Sequence, residues 1–334
     1  MVLIAAGDYS GDVTTWSQNN LTICGTGGRA RLFANGRNAA GKGIWVVQGT
    51  NVIVENMEFH DVTVPDQNGA GIRAEGNGLT IRNSGFYDNE NGILGPDGGD
   101  LTIDRSEFAR NGFGDGQSHN IYVGRANRVV VTNSFFHEAK IGHNFKSRAS
   151  ETRIENSYFM DGPTGNSSYL VNVPNGGNVF LRGNLLQKGP NADNSILVAF
   201  GEEGLVHSVN TLELVHNTLV STYSGGGFIE AAAGIQSIKL TGNLFAGTNS
   251  PRLFNSGVAS KVTQSNSVVS TPGNLMAPDN VAAPNFWPNN NTLVAQLLLS
   301  SVPDPAYLND SPRPFTLRTV SGTTRRVGAL QAAP

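Results

Sequence analysis

The sequence predicts an all-β fold: a right-handed parallel β-helix, a solenoid with capped ends and an irregular C-terminal tail. Three observations predict it. A nine-residue phrase recurs along the chain, apolar and polar residues alternate within each copy, and the composition is that of strands and turns, with 41 Gly, 15% charged residues and hydrophobic residues in short runs. Alternation with period two marks a half-buried strand.

The phrase is clearest in Asn51-Val-Ile-Val-Glu-Asn-Met-Glu-Phe59, Gly78-Leu-Thr-Ile-Arg-Asn-Ser-Gly-Phe86, Asp100-Leu-Thr-Ile-Asp-Arg-Ser-Glu-Phe108, Arg128-Val-Val-Val-Thr-Asn-Ser-Phe-Phe136 and Glu151-Thr-Arg-Ile-Glu-Asn-Ser-Tyr-Phe159. Looser copies begin at Asn178, Thr211 and Ser237, so coils recur roughly every 22 to 33 residues between about 50 and 270. Each copy reads as a strand, a bend and a second short strand. Asn and Gly suit the bend because they tolerate the left-handed backbone, and stacked Asn amides can bond along the coil axis. A further strand follows each phrase after a variable loop, as in Asn120-Ile-Tyr-Val and Asn144-Phe-Lys-Ser. A β-propeller would need four-stranded antiparallel blades, and two-residue hairpin turns are scarce here.

The solenoid is expected to span 1–270, with an irregular loop around Arg29 to Lys42 in its first coils. Residues 271–334 read as a non-repeating tail folded over the last coils, with Thr292 to Leu299 its one helix-like run.

A net charge of −3 and a pI near 6.1 give no cationic stripe for nucleic acid. No apolar run is long enough for a membrane span. Cys24, the single cysteine, reads as a buried structural thiol. The opening Val2-Leu-Ile-Ala-Ala-Gly-Asp reads as the inside of a strand, without the charged region or cleavage site of a signal peptide. A monomer is expected.

Strand register singles out candidate site residues. With Ile72, Ile93, Ile121, Phe145, Leu170 and Ile196 inward, the next residues form an outward ladder of Arg73, Leu94, Tyr122, Lys146, Val171 and Leu197. Two positions further on stand Glu75, Gly124 and Arg148; one position before the inward residues stand Asn120 and Asn144. Asn120, Tyr122, Asn144, Lys146 and Arg148 are thus expected on one exposed face, Gly124 leaving space beside Arg148, His119 and His143 stacked at the border, and Arg73 and Glu75 two coils away. Such a face suits an extended acidic polymer.

The chemistry these residue types fit is β-elimination at a uronic acid. It needs a base for the C5 proton, for which Lys146 beside the Arg148 guanidinium is the candidate, and a cation to neutralise charge on the carboxylate, for which Arg148 is the candidate. Tyr122 is the candidate acid, or exchanges roles with Lys146, while Asn120, Asn144, His119, His143, Arg73 and Glu75 are candidate substrate-binding residues. Glu202-Glu203 reads as a solvated turn, and His137, His207 and His216 as turn or ladder residues. Asp97, Asp100 and Asp115 fall in Gly-rich loops, and would be the acids to test if the chain were a glycoside hydrolase. A uronate epimerase and a non-catalytic glycan-binding β-helix are the remaining alternatives.

The repeat, with Ser118-His-Asn-Ile-Tyr-Val-Gly124 and Gly142-His-Asn-Phe-Lys-Ser-Arg148, resembles the right-handed β-helix superfamily of pectate lyases, alginate lyases and chondroitinase B. In the alginate lyase and chondroitinase B branch a Lys-Ser pair just before a repeat phrase carries the general base, which Lys146-Ser147 matches. That resemblance implies a polysaccharide lyase, secreted or periplasmic. The chain departs from the branch in two ways. Only Glu138 is acidic in the stretch where the branch has calcium ligands, so no cofactor is expected, with calcium the one candidate. The branch's catalytic arginine lies on the next coil, where this chain offers Tyr169 and Val171.

Overall fold

The computed structural model describes residues 1–289, 298–299, 307–311, 316–319 and 325–331. Each coil contributes a strand, a bend, a short second strand and, after a loop, a third strand. The third strands, from Thr14–Trp16 to Arg252–Phe254, stack as a ten-stranded sheet; the first two types join in a twenty-stranded sheet. All pairings within these two sheets are parallel, for example Leu101 to Val129 and Val129 to Thr152. Antiparallel blades are therefore ruled out within the solenoid.

The phrase folds as its residues dictate. In Asp100–Asp104 the apolar Leu101 and Ile103 point into the core, and Phe108 follows on the second strand. One phenylalanine per coil builds a stack, Phe59, Phe86, Phe108, Phe136 and Phe159, with centroids 5.0, 4.6, 4.7 and 4.9 Å apart. At the bend, Asn56, Asn83, Asn133 and Asn156 hold φ between 43° and 57°, the left-handed conformation that asparagine tolerates best after glycine. The next residue carries a buried ladder: the Ser84, Ser106 and Ser134 amides donate to Oγ of Ser106, Ser134 and Ser157, and the Ser157, Asn184 and Asn217 amides donate to Oδ1 of Asn184, Asn217 and Asn243. These six bend amides, which leave the sheet, are thereby satisfied.

The first coils are more regular than expected, because Arg29 to Phe33 belongs to the twelve-residue strand Thr22–Phe33 and only the stretch after it is a loop. Leu275, Phe286, Val327, Ala329 and Leu330 form a second apolar cluster with Phe135, Tyr158, Met160, Leu185, Val220 and Leu244 on the outer face of the twenty-stranded sheet. Of the helix-like run, Leu298–Leu299 is a strand paired with Arg325–Arg326; Thr292 to Ala295 and the two residues after them lie outside the described residues.

Candidate active site

On the ten-stranded sheet the outward residues pair in succession along the axis: Val46, Arg73, Leu94, Tyr122, Lys146, Asn172, Ala199 and Glu230. Through Lys146 this is the expected ladder. Beyond it the register departs by one residue: Phe145 pairs with Val171 and Val171 with Val198, so Val171 points inward and Asn172 and Ala199 take the outward places expected for Val171 and Leu197. The coil neighbour of Lys146 is therefore an amide.

Tyr122, Lys146 and Arg148 come together. The Lys146 ammonium lies 5.8 Å and the Arg148 guanidinium 5.7 Å from the Tyr122 ring centre. Arg148 Nε donates to Tyr122 Oη at 2.8 Å, which uses a lone pair of the phenol oxygen and leaves its proton available for donation. Arg148 donates twice more: Nη1 to Asn175 Oδ1 at 2.5 Å and Nη2 to Glu203 Oε2 at 2.5 Å. Lys146 Nζ donates to the other oxygen of the same carboxylate, Glu203 Oε1, at 3.1 Å.

Glu202 and Glu203 correct the reading of that turn as merely solvated. The turn crosses back over two coils, where the Glu203 carboxylate bridges both cations and Glu202 accepts from the Asn172 amide. Burial works to raise the Glu203 carboxyl, but the hydrogen bonds and charges of Arg148 and Lys146 outweigh it and hold the group below the usual range. Glu202 goes the other way: burial pushes it up, the charge of Glu203 adds to this, and the Asn172 bond and Lys146 only partly oppose it. No sequence pattern announces contacts across 55 residues. The two Gly, Gly201 and Gly204, both at positive φ, were the available sign of a shaped turn.

Asn120 and Asn144 are corrected outright, since both are buried and neither can touch a substrate. Alternation breaks at the start of these strands, so Asn120 and Ile121 both face inward, as do Asn144 and Phe145. The asparagines belong to an internal chain of amides in which Asn89 donates to Asn111, Asn111 to Asn120 at 2.8 Å, Asn120 to Asn144 at 2.7 Å and Asn144 to Asp161 at 3.3 Å. Asp161 ends the chain by pairing at 3.2 Å with Lys188, itself fully buried.

His119 and His143 stack as expected, 4.6 Å between ring centres, but both are buried behind Tyr122. The His143 amide donates to His119 Nδ1 at 3.0 Å and the Tyr169 amide to His143 Nδ1 at 3.3 Å, which places the proton of each neutral ring on Nε2. Burial, then neighbouring cationic charge, lowers both; His143 falls to about 3. They back the site as neutral wall residues.

The remaining candidates line the cleft. A space of about 540 Å³ is bounded by Asp97, Tyr122, Arg125 and Arg148, and one of about 230 Å³ continues along Arg73, Glu75, Leu94 and Asp97. Glu75 is bonded by Lys42 and by Gln48. The space expected beside Gly124 is filled by Asp97, whose Oδ1 would lie 2.0 Å from any Cβ there and accepts the Arg125 amide at 2.9 Å. Asp115 lies across the sheet beside Tyr122, in a space of about 260 Å³ with Asp66, Asn68 and Gln117. Asp100 opens a strand of the other sheet. Arg125, missed in the sequence, is exposed, and neither it nor Arg73 forms an ion pair among the described residues. Of the acidic residues beside Lys146, Glu138 turns to His137 at 2.7 Å and Glu203 is held by two cations.

Comparison with known proteins agrees with this architecture. The family model described as right handed beta helix region matches residues 34–116. The crystal structure of pectate lyase Pel9A superposes with a TM-score of 0.63 over 99% of this chain and 87% of that one, at 15% identity. The search of curated proteins found no match. The chain is thus a right-handed parallel β-helix with a pectate lyase-like fold.

Proposed function

We propose that this protein is a polysaccharide lyase that cleaves a uronic-acid-containing glycan by β-elimination. The observation that carries the reading is the grouping of Tyr122, Lys146 and Arg148 on the floor of an open cleft, with Arg148 Nε bonded to Tyr122 Oη. Lys146, once freed from Glu203 and neutral, takes the C5 proton. The electron pair of that C–H bond forms the C4–C5 double bond, the C4–O4 bond breaks, and Tyr122 donates its proton to the leaving oxygen. Transfer of the captured proton from Lys146 to Tyr122 resets the pair. Arg148 is here a positioning group that holds the phenol, and the unpaired Arg73 and Arg125 are the cations offered to substrate carboxylates.

The pectate lyase-like fold supports the lyase class, and a groove complete within one chain supports action as a monomer. A polymeric substrate of this kind is met outside cells, which supports a secreted or periplasmic location. No step is routed through a metal, so activity is expected to survive a chelator; complete, calcium-reversible loss would redirect attention to Asp97 and Asp115. The direct test is incubation with polygalacturonate, alginate and other uronate polymers, following the ultraviolet absorbance of the conjugated double bond. New reducing ends without that absorbance would favour the hydrolase alternative. Binding without new ends would favour a glycan-binding solenoid, and a changed uronate ratio without new ends an epimerase.

A further inference from the structure

We infer that the turn carrying Glu202 and Glu203 closes the groove immediately beyond Lys146, so that the enzyme works at chain ends and releases short products. The inference rests on the lyase reading and specifies its mode of action. Along the outward ladder Arg73, Leu94, Tyr122 and Lys146 are solvent-accessible, whereas the next two residues, Asn172 and Ala199, are each only 1% exposed. The reacting pair therefore stands at the C-terminal edge of the open floor, with open coils on one side and a covered one on the other. Successive coils are about 4.8 Å apart, close to the length of one sugar unit, so little more than one unit fits on the closed side.

The cover is a built wall. The amide of Glu203 donates to Pro174 O at 3.0 Å and that of Val206 to Asn175 O at 3.1 Å; Asn175 Nδ2 donates to Gly204 O at 3.2 Å, and the His207 ring bonds Arg148 O at 3.2 Å. Leu205 packs against Gly176, Gly201 and Gly234, and a Cβ on Gly176 or Gly201 would come within 2.7 or 2.4 Å of its Cδ2. Charge acts along the open coils, where Arg73 and Arg125 attract an acidic chain.

The experiment uses the whole protein on polygalacturonate and alginate, with products sized by gel filtration at low conversion. Mono- or disaccharide products beside nearly full-length polymer are expected, with an initial rate, at constant polymer mass, that rises as chains are shortened and ends multiply. A broad ladder of intermediate fragments from the start, with a rate independent of chain length, would overturn the inference and leave the lyase reading standing. Absence of unsaturated ends from every polymer would remove both.

Discussion

Two polar ladders run side by side along the same coils, and they are built by opposite rules. The internal one, Asn89, Asn111, Asn120 and Asn144, repeats one residue type, and each amide is spent on the next member, Asn111 on Asn120 within one coil and the others on the coil that follows, before Asp161 and Lys188 end the chain. The external one, Arg73, Leu94, Tyr122 and Lys146, changes at every coil and ends on a turn from two coils away. Repetition satisfies a need that every coil shares, namely pairing polar groups inside a low-dielectric interior. A site needs different groups at one place. In a solenoid the informative positions are thus the outward ones at which the repeat is broken.

Three successive residues test that contrast, Asn144, Phe145 and Lys146. Lys146→Ala should lower kcat/KM by about 100- to 10,000-fold, the usual worth of a proton-transfer group, with the thermal midpoint nearly unchanged because the side chain packs no core. A folded, fully active variant would end the assignment of Lys146 as base. Phe145→Ala, inward and in edge contact with Phe136 and Phe159, should cost about 3–5 kcal/mol by denaturant unfolding. Asn144→Ala should cost about 1–3 kcal/mol, because it removes the buried acceptor of the Asn120 side-chain amide and of the Ala139 backbone amide, while activity per folded molecule changes little. Loss of activity without loss of stability at Asn144 would move it into the site after all.

Much of the fold was legible because its causes are local. Asn at the bends, Phe after them and alternating Val, Ile and Leu before them each act within one phrase. The face of Tyr122 and Lys146 followed from strand parity alone. Parity failed where the strand begins: Asn120 and Asn144 immediately precede their strands, and there two consecutive residues turn inward. In Tyr169-Leu-Val-Asn an inward Leu170 and an inward Val171 are equally apolar, so the sequence holds no signal for the one-residue step that Phe145 and Val171 reveal. Glu203 was illegible for a different reason, since its partners are set by how two loops lie in space.

The buried histidines extend the contrast to pH. His119 and His143 stay neutral in the fold, while in the unfolded chain they titrate near 6.5. Because both are lowered, the unfolded state binds more protons once the pH drops below that value, so stability is full above about 6.5 and declines as pH falls towards the His143 value of about 3. The thermal midpoint should fall across this window, and His143→Gln should flatten part of the fall. An unchanged slope in that variant would show that other groups govern the acid limb.

The smallest expected effect lies at the open edge of the external ladder, and it separates attraction from chemistry. Arg125 is exposed and its guanidinium has no ion-pair partner among the described residues, while its backbone amide is held by Asp97. Its side chain therefore contributes nothing that the fold depends on, and its field reaches a polyanion only through solvent. Exposed charge pairs are worth roughly 0.2–1 kcal/mol, so Arg125→Ala should raise KM for a uronate polymer by no more than about five-fold and leave kcat alone. Since the Debye length shrinks from about 10 Å at 0.1 M salt to about 3 Å at 1 M, the difference between variant and parent should vanish in high salt. A kcat defect that persists there would mean that Arg125 touches the reacting carboxylate, taking the neutralising role that Arg148, tied to Tyr122, Asn175 and Glu203, is not free to play.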